Sequence, residues 1–159
     1  MNPTHTTAPD IGHNKMQKPT GAFIGASWLA LLIGIASFLI GLWNAEMPLI
    51  EKGFYFTVLM YGLFASVSLQ KSVRDKLEGI PVTGIYYGLA WLSIGLTILL
   101  LAVALWNAQI TQSEKGFYAI AFLLSIFASI AVQKNIRDLA LYPSEEISIE
   151  REEETEGIA

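Results

Sequence analysis

Four long runs without a charged residue dominate the chain: 22–43, 53–69, 84–106 and 116–132. The first, Ala22 to Trp43, is 22 residues long. As a helix it extends about 33 Å, enough for a bilayer core of about 30 Å. The second, at 17 residues, extends about 26 Å, near the lower limit for a span. Polar segments separate the runs. Residues 44–52 hold Glu46, Pro48, Glu51 and Lys52. Residues 70–83 hold Lys71, Arg74, Asp75, Lys76 and Glu78, then Gly79-Ile80-Pro81. That pattern predicts a helix running out of the membrane and stopping at the Gly/Pro signal. The division is a polar tail over 1–20, a two-helix unit over 21–77, a linker over 78–83, a second unit over 84–140 and an acidic, disordered tail over 141–159.

The two units are copies at an offset of 63 residues. Leu42-Trp43-Asn44-Ala45 returns as Leu105-Trp106-Asn107-Ala108, and Glu51-Lys52-Gly53-Phe54-Tyr55 as Glu114-Lys115-Gly116-Phe117-Tyr118. Phe64-Ala65-Ser66 returns as Phe127-Ala128-Ser129, and Gln70-Lys71-x-x-Arg74-Asp75 as Gln133-Lys134-x-x-Arg137-Asp138. Without a gap, 16 of the 36 positions in 42–77 match their copies in 105–140. A unit with two spans returns the chain to its starting side. The copies therefore share one orientation, as parallel repeats about an axis along the membrane normal, whereas inverted repeats need an odd number of spans per unit.

Composition narrows the class. Apolar residues make up 53% and charged residues 15% of the 159, against roughly a quarter charged in soluble domains. The mean hydropathy of +0.47 points the same way. Disorder needs low hydrophobicity, and nucleic-acid binding needs a basic balance where the pI here is about 5.1. A disulfide scaffold needs cysteine, and there is none. The acidity arises in the last 17 residues, which hold seven Glu and one Arg. Elsewhere the cations are lopsided. Lys15, Lys18, Lys71, Arg74, Lys76, Lys134 and Arg137 lie on one side of the spans, and Lys52 and Lys115 on the other. The positive-inside rule then places both termini and the linker in the cytoplasm and both Trp-Asn-Ala loops outside.

The repeated Leu-Trp-Asn-Ala, Glu-Lys-Gly-Phe-Tyr and Gln-Lys-x-x-Arg-Asp motifs resemble the YiaA/YiaB family of small bacterial inner membrane proteins. The resemblance covers about residues 20–142. It implies a two-helix domain present in two copies, as in YiaA-type members, and a multi-pass place in the bacterial inner membrane. It implies no reaction, substrate or cofactor.

The residues themselves offer three polar or packing clusters. Asn44, Glu51 and Lys52, with their copies Asn107, Glu114 and Lys115, stand at hairpin helix ends. There Glu suits a helix N-terminus, Asn caps the preceding helix and Lys snorkels. The sharper reading is that the two copies meet near the axis and bind a solute or headgroup. Lys71, Arg74, Lys134 and Arg137 suit helix C-termini and fix topology. The sharper reading is a clamp on anionic lipid at the inner leaflet. Small residues at spacing four mark packing faces: Ala22, Ala26, Ala30 and Gly34 in the first span, Gly62 and Ser66 in the second, Gly84 and Gly88 in the third, Ser125 and Ser129 in the fourth. The second and fourth spans are expected to be neighbours through Gly62/Ser66 and Ser125/Ser129, with Phe122 facing lipid. The spans hold no ionisable residue, which weighs against ion coupling. His5 and His13 stand in the first tail, and no metal, cofactor or catalytic residue is expected.

The expectation is an all-α membrane protein of four transmembrane helices in two tandem two-helix hairpins. Its role is non-enzymatic: structural, interaction or envelope adaptation, with membrane lipids, a second copy or another membrane protein as partners and no nucleic acid. The competing reading is a small homo-oligomeric transporter or channel.

Overall fold

The computed structural model describes the backbone of residues 19–156 and the side chains through residue 141. It contains four helices: α1 (Gly21–Asn44), α2 (Leu49–Leu77), α3 (Gly84–Asn107) and α4 (Gln112–Glu156). All four are long and apolar enough to cross a membrane, α4 over its part Gln112–Leu141. The repeated sequence repeats its end chemistry. Thr20 caps α1 by accepting from the Phe23 amide at 3.3 Å, and Thr83 caps α3 by accepting from the Tyr86 amide at 3.4 Å. Helix α2 stops where the Gly/Pro signal says. Gly79 is left-handed (φ 74°), its amide donates to the Lys76 carbonyl, and the Ile80 amide donates to the Asp75 carbonyl. This is a Schellman end, and glycine alone adopts it without a Cβ penalty. One boundary differs from expectation. Helix α4 does not stop near residue 140 but continues through Pro143 to Glu156. The stretch 144–156 holds neither Gly nor Pro and is rich in Glu, a good helix former.

The hairpins do not pack as hairpins. Helix α1 lies along α4, and α3 lies along α2, while α1 meets α2 only lightly. The two central helices, α2 and α4, touch each other. The order across the bundle is thus α1, α4, α2, α3, and each outer helix rests on the inner helix of the other repeat. Ser27 with Asn135 and Gly34 with Ser125 show α1 and α4 running antiparallel.

The central pair is parallel and in register, because equivalent residues face each other. The Tyr55 and Tyr118 rings stack with centroids 5.9 Å apart. The Ser66 and Ser129 hydroxyls lie 2.8 Å apart, fully within the core. One donates across, and the other bonds back to its own helix at Leu63 or Ile126. Further along, Arg74 meets Asp138 and Arg137 meets Asp75. Three levels of contact between copies place a pseudo-two-fold axis between α2 and α4, along the helices. The expected neighbourhood of these two helices through Ser66 and Ser129 is therefore present.

Close approach depends on small residues in a crossed pattern. A Cβ on Gly34 would lie 2.6 Å from Ser125 Oγ, and one on Gly62 would lie 2.9 Å from Thr97 Cγ2 and 2.8 Å from the Phe122 ring. Positions 34 and 97 are equivalent, as are 62 and 125. Where the outer helix has Gly, the inner helix has Ser; where the inner helix has Gly, the outer helix has Thr. Two expectations need correction here. Phe122 is fully buried, because its ring occupies the space that Gly62 leaves. The packing face of α1 is Ser27, Gly34, Phe38 and Leu42, so Ala22 and Ala26 point outward. Gly84 and Gly88 likewise meet nothing within 4 Å. Most other large apolar side chains of α1 and α3 are exposed, from Leu29 and Leu32 to Leu92 and Leu99, as lipid-facing surfaces are.

Cysteine replacement of both Ser66 and Ser129 in this cysteine-free chain should give an intramolecular disulfide on mild oxidation, seen as a gel shift that neither single variant shows. Gly62→Leu should lower stability by about 3 kcal/mol or more through overpacking. Gly95→Leu, at a position with nothing within 4 Å, should cost under about 1 kcal/mol by the same denaturation in micelles.

Candidate functional site

The polar residues gather at the two ends of the bundle. At the end that carries the short 45–48 and 108–111 loops, the repeated motif completes helix termini. The Asn44 amide donates to the Ile40 carbonyl (2.9 Å) and the Asn107 amide to the Val103 carbonyl (2.8 Å). The Lys52 ammonium donates to the Trp43 carbonyl (2.9 Å) and the Lys115 ammonium to the Trp106 carbonyl (3.3 Å). The last carbonyls of a helix have no partner inside it. Each lysine thus ties the first turn of one helix to the last turn of the helix before it. That link spans nine residues, which is why the Asn and Lys recur at fixed spacing.

The two glutamates part company. Glu114 accepts from both the Thr111 amide and hydroxyl at 2.7 Å, and Thr111 accepts from the Glu114 amide at 3.3 Å. This is a capping box. In the first repeat Pro48 stands in place of Thr111. It has neither an N–H nor a hydroxyl, and Glu51 makes no such box. Instead Glu51 lines a groove of about 630 Å³ between the start of α2 and the end of α3, together with Glu46, Phe54, Tyr55, Ala104 and Asn107. Of the six polar residues expected to converge, only Glu51 and Asn107 share this groove. Asn44, Lys52, Glu114 and Lys115 stand outside it.

The corresponding space beside α1 is filled. A Cβ on Gly41 would lie 2.6 Å from the Phe117 ring and 3.4 Å from the Tyr118 ring. The equivalent of Gly41 is Ala104. Its methyl group denies Phe54 the position that Phe117 takes, and the groove stays open on that side.

At the opposite end, beside the 78–83 linker, charged groups join α2 to α4. Arg74 pairs with Asp138 at 3.0 Å and with Glu78 at 2.8 Å. Arg137 pairs with Asp75 at 3.2 Å and also with Glu78. Lys134 pairs with Asp138 at 2.9 Å within its own helix. Both arginines are mostly covered, as are both aspartates. The guanidinium groups expected to clamp lipid are thus engaged by carboxylates between the helices. Lys71 is exposed and has no carboxylate partner among the described residues. The nearby Lys76 ammonium sits 4.5 Å from the Tyr87 ring centre and ties α2 to α3.

The buried polar residues Ser27 and Asn135 were not singled out from the sequence. The Asn135 amide donates to Ser27 Oγ at 3.1 Å inside the α1–α4 contact, and Asn135 Oδ1 has no partner among the described residues. Their equivalents, Ser72 and Ala90, are buried between α2 and α3. His5 and His13 lie outside the described residues.

The yiaA/B two-helix domain matches the chain twice, over residues 23–75 and 86–138. The chain belongs to that family. Its resemblance extends to a curated relative, the inner membrane protein YiaA of Escherichia coli (strain K12). The two are 52% identical over 143 residues, covering 90% of this chain and 99% of the relative. That name denotes a location and no enzymatic activity. No solved structure matches the chain. In this member of the yiaA/B family the repeated sequence unit and the packing unit differ. Each two-helix domain donates its first helix to the second helix of the other domain. The repeated Gln-Lys-x-x-Arg-Asp motif supplies the crossed ion pairs that join the domains.

A double-mutant cycle on Arg74→Ala and Asp138→Ala should give a coupling of about 1–3 kcal/mol in unfolding free energy. Lys71→Ala should leave stability within about 0.5 kcal/mol of the unaltered chain.

Proposed function

We propose that the protein is a non-catalytic component of the bacterial inner membrane that works through its outer surface, by interaction with lipids and with other membrane proteins. Both termini and the linker face the cytoplasm, and the two Trp-Asn-Ala loops face outward. One observation supports a surface role above an internal one. The polar groups within the bundle bond mainly to one another across helices, as Ser66 with Ser129, Ser27 with Asn135, and Arg74 and Arg137 with the aspartates. A passage through one chain would follow the axis between α2 and α4. That axis is occupied by Leu59, Ala65, Phe122 and Ala128, all buried. The apolar outer faces of α1 and α3, by contrast, are available to lipid or a partner helix. The location agrees with the name of the similar Escherichia coli protein, and the orientation agrees with the distribution of Lys and Arg.

Reporter fusions at residues 48 and 111 should be external, and fusions at 78 and 150 cytoplasmic. A cytoplasmic reporter at 48 overturns the orientation. In proteoliposomes the purified chain should leave ion and small-solute flux at the level of empty vesicles, while cross-linking in native membranes should capture a defined complex. Flux above background without a partner would replace this reading with a transporter.

A further inference from the structure

The groove between α2 and α3 has a polarity that the membrane gives meaning. Its rim lies at the level of Asn107, beside Trp106, which is 85% exposed at the helix end. Such a tryptophan marks the headgroup level. Its floor includes Leu100, seven residues deeper, or about 10 Å toward the acyl region. A volume of about 630 Å³ falls within the range of small-molecule sites.

Three features concern its chemistry. Glu46 and Glu51 place two carboxylates on the rim, and no Lys or Arg lines the groove. Glu51 is available because Pro48 removes the capping box that holds Glu114. Tyr55 lines the groove while only 3% exposed, and its hydroxyl makes no hydrogen bond with any described residue. That phenol is a donor that a ligand or water in the groove can use. We propose that this groove holds a phospholipid with a primary-ammonium headgroup, phosphatidylethanolamine in chemical type. The ammonium meets the Glu46 and Glu51 carboxylates, and an acyl chain lies on the apolar floor formed in part by Phe54 and Ala104. A net-anionic headgroup would meet two like charges and no cation. The proposal requires the chain to lie in a bilayer and is independent of its orientation and of the non-catalytic reading.

The test is native mass spectrometry of the full chain, released from micelles with equal amounts of phosphatidylethanolamine and phosphatidylglycerol. The unaltered chain should retain the ethanolamine lipid about fivefold or more over the glycerol lipid, as expected for two partly exposed ion pairs. Glu46→Gln with Glu51→Gln should bring the two to parity, Glu114→Gln should keep the preference, and Ala104→Phe should abolish retention of both. The Ser66→Cys/Ser129→Cys cross-link, carried in each variant, reports that the bundle is intact. Equal retention of the two lipids by the unaltered chain overturns the proposal, as does a preference that survives in the double glutamine variant. So does a dimer that Ala104→Phe dissociates, since a second copy would then be the occupant.

Discussion

The parallel contact of α2 with α4 is the constraint on which the rest of the bundle depends. A duplicated helix that packs in register on its own copy must be self-complementary at every level it touches. Stacked tyrosines meet the requirement, because a ring offers the same face to its equal. Paired serines meet it, because a hydroxyl both donates and accepts. Adjacent Arg and Asp meet it because each copy presents one of each, so the same two residues satisfy both directions. A lone Arg or a lone Asp at that level would have faced its like. In lipid, helices gain little from hydrophobicity alone, and interhelical hydrogen bonds and close packing decide who touches whom.

Once the inner helices are joined, the loops and outer helices must follow. The loop within each repeat has only four residues outside the helices, yet α1 leans on α4 and α3 on α2. The first repeat cannot fold into its final contacts without the second, so the two-helix domain is a unit of sequence and not of packing. The exchange of small residues at 34, 62, 97 and 125 records this. Gly opposite Ser on one side and Thr opposite Gly on the other keep both contacts close with side chains of different size. Nothing within either hairpin would impose that pattern.

The spans and the repeat were legible because charge-free runs and a fixed offset are one-dimensional signals. The α2–α4 contact was legible too, since Ser66 and Ser129 repeat exactly where small residues favour close approach. The faces of α1 and Phe122 were not. A membrane helix is apolar all round, so periodicity no longer separates the face toward protein from the face toward lipid. The Ala22–Gly34 stripe satisfied the spacing rule, but of its four residues only Gly34 is buried, and the true face begins at Ser27. Arg74 and Arg137 looked like surface cations because their aspartate partners lie on the other repeat, more than sixty residues away.

The divergence of the two copies carries as much meaning as their likeness. Where equivalent polar residues meet across the axis, Tyr, Ser, Arg and Asp are unchanged, whereas the apolar pair Leu59 and Phe122 differs in size. Positions away from it are constrained only by the outer helix they meet. Ala104 differs from Gly41, Pro48 from Thr111, and Asn135 from Ser72. The first two differences act together: one keeps a space open beside Phe54, and the other frees the Glu51 carboxylate that borders it. Neither alters a group on the axis. A duplicated bundle can therefore acquire an asymmetric surface feature while the symmetric contact that holds it together stays intact.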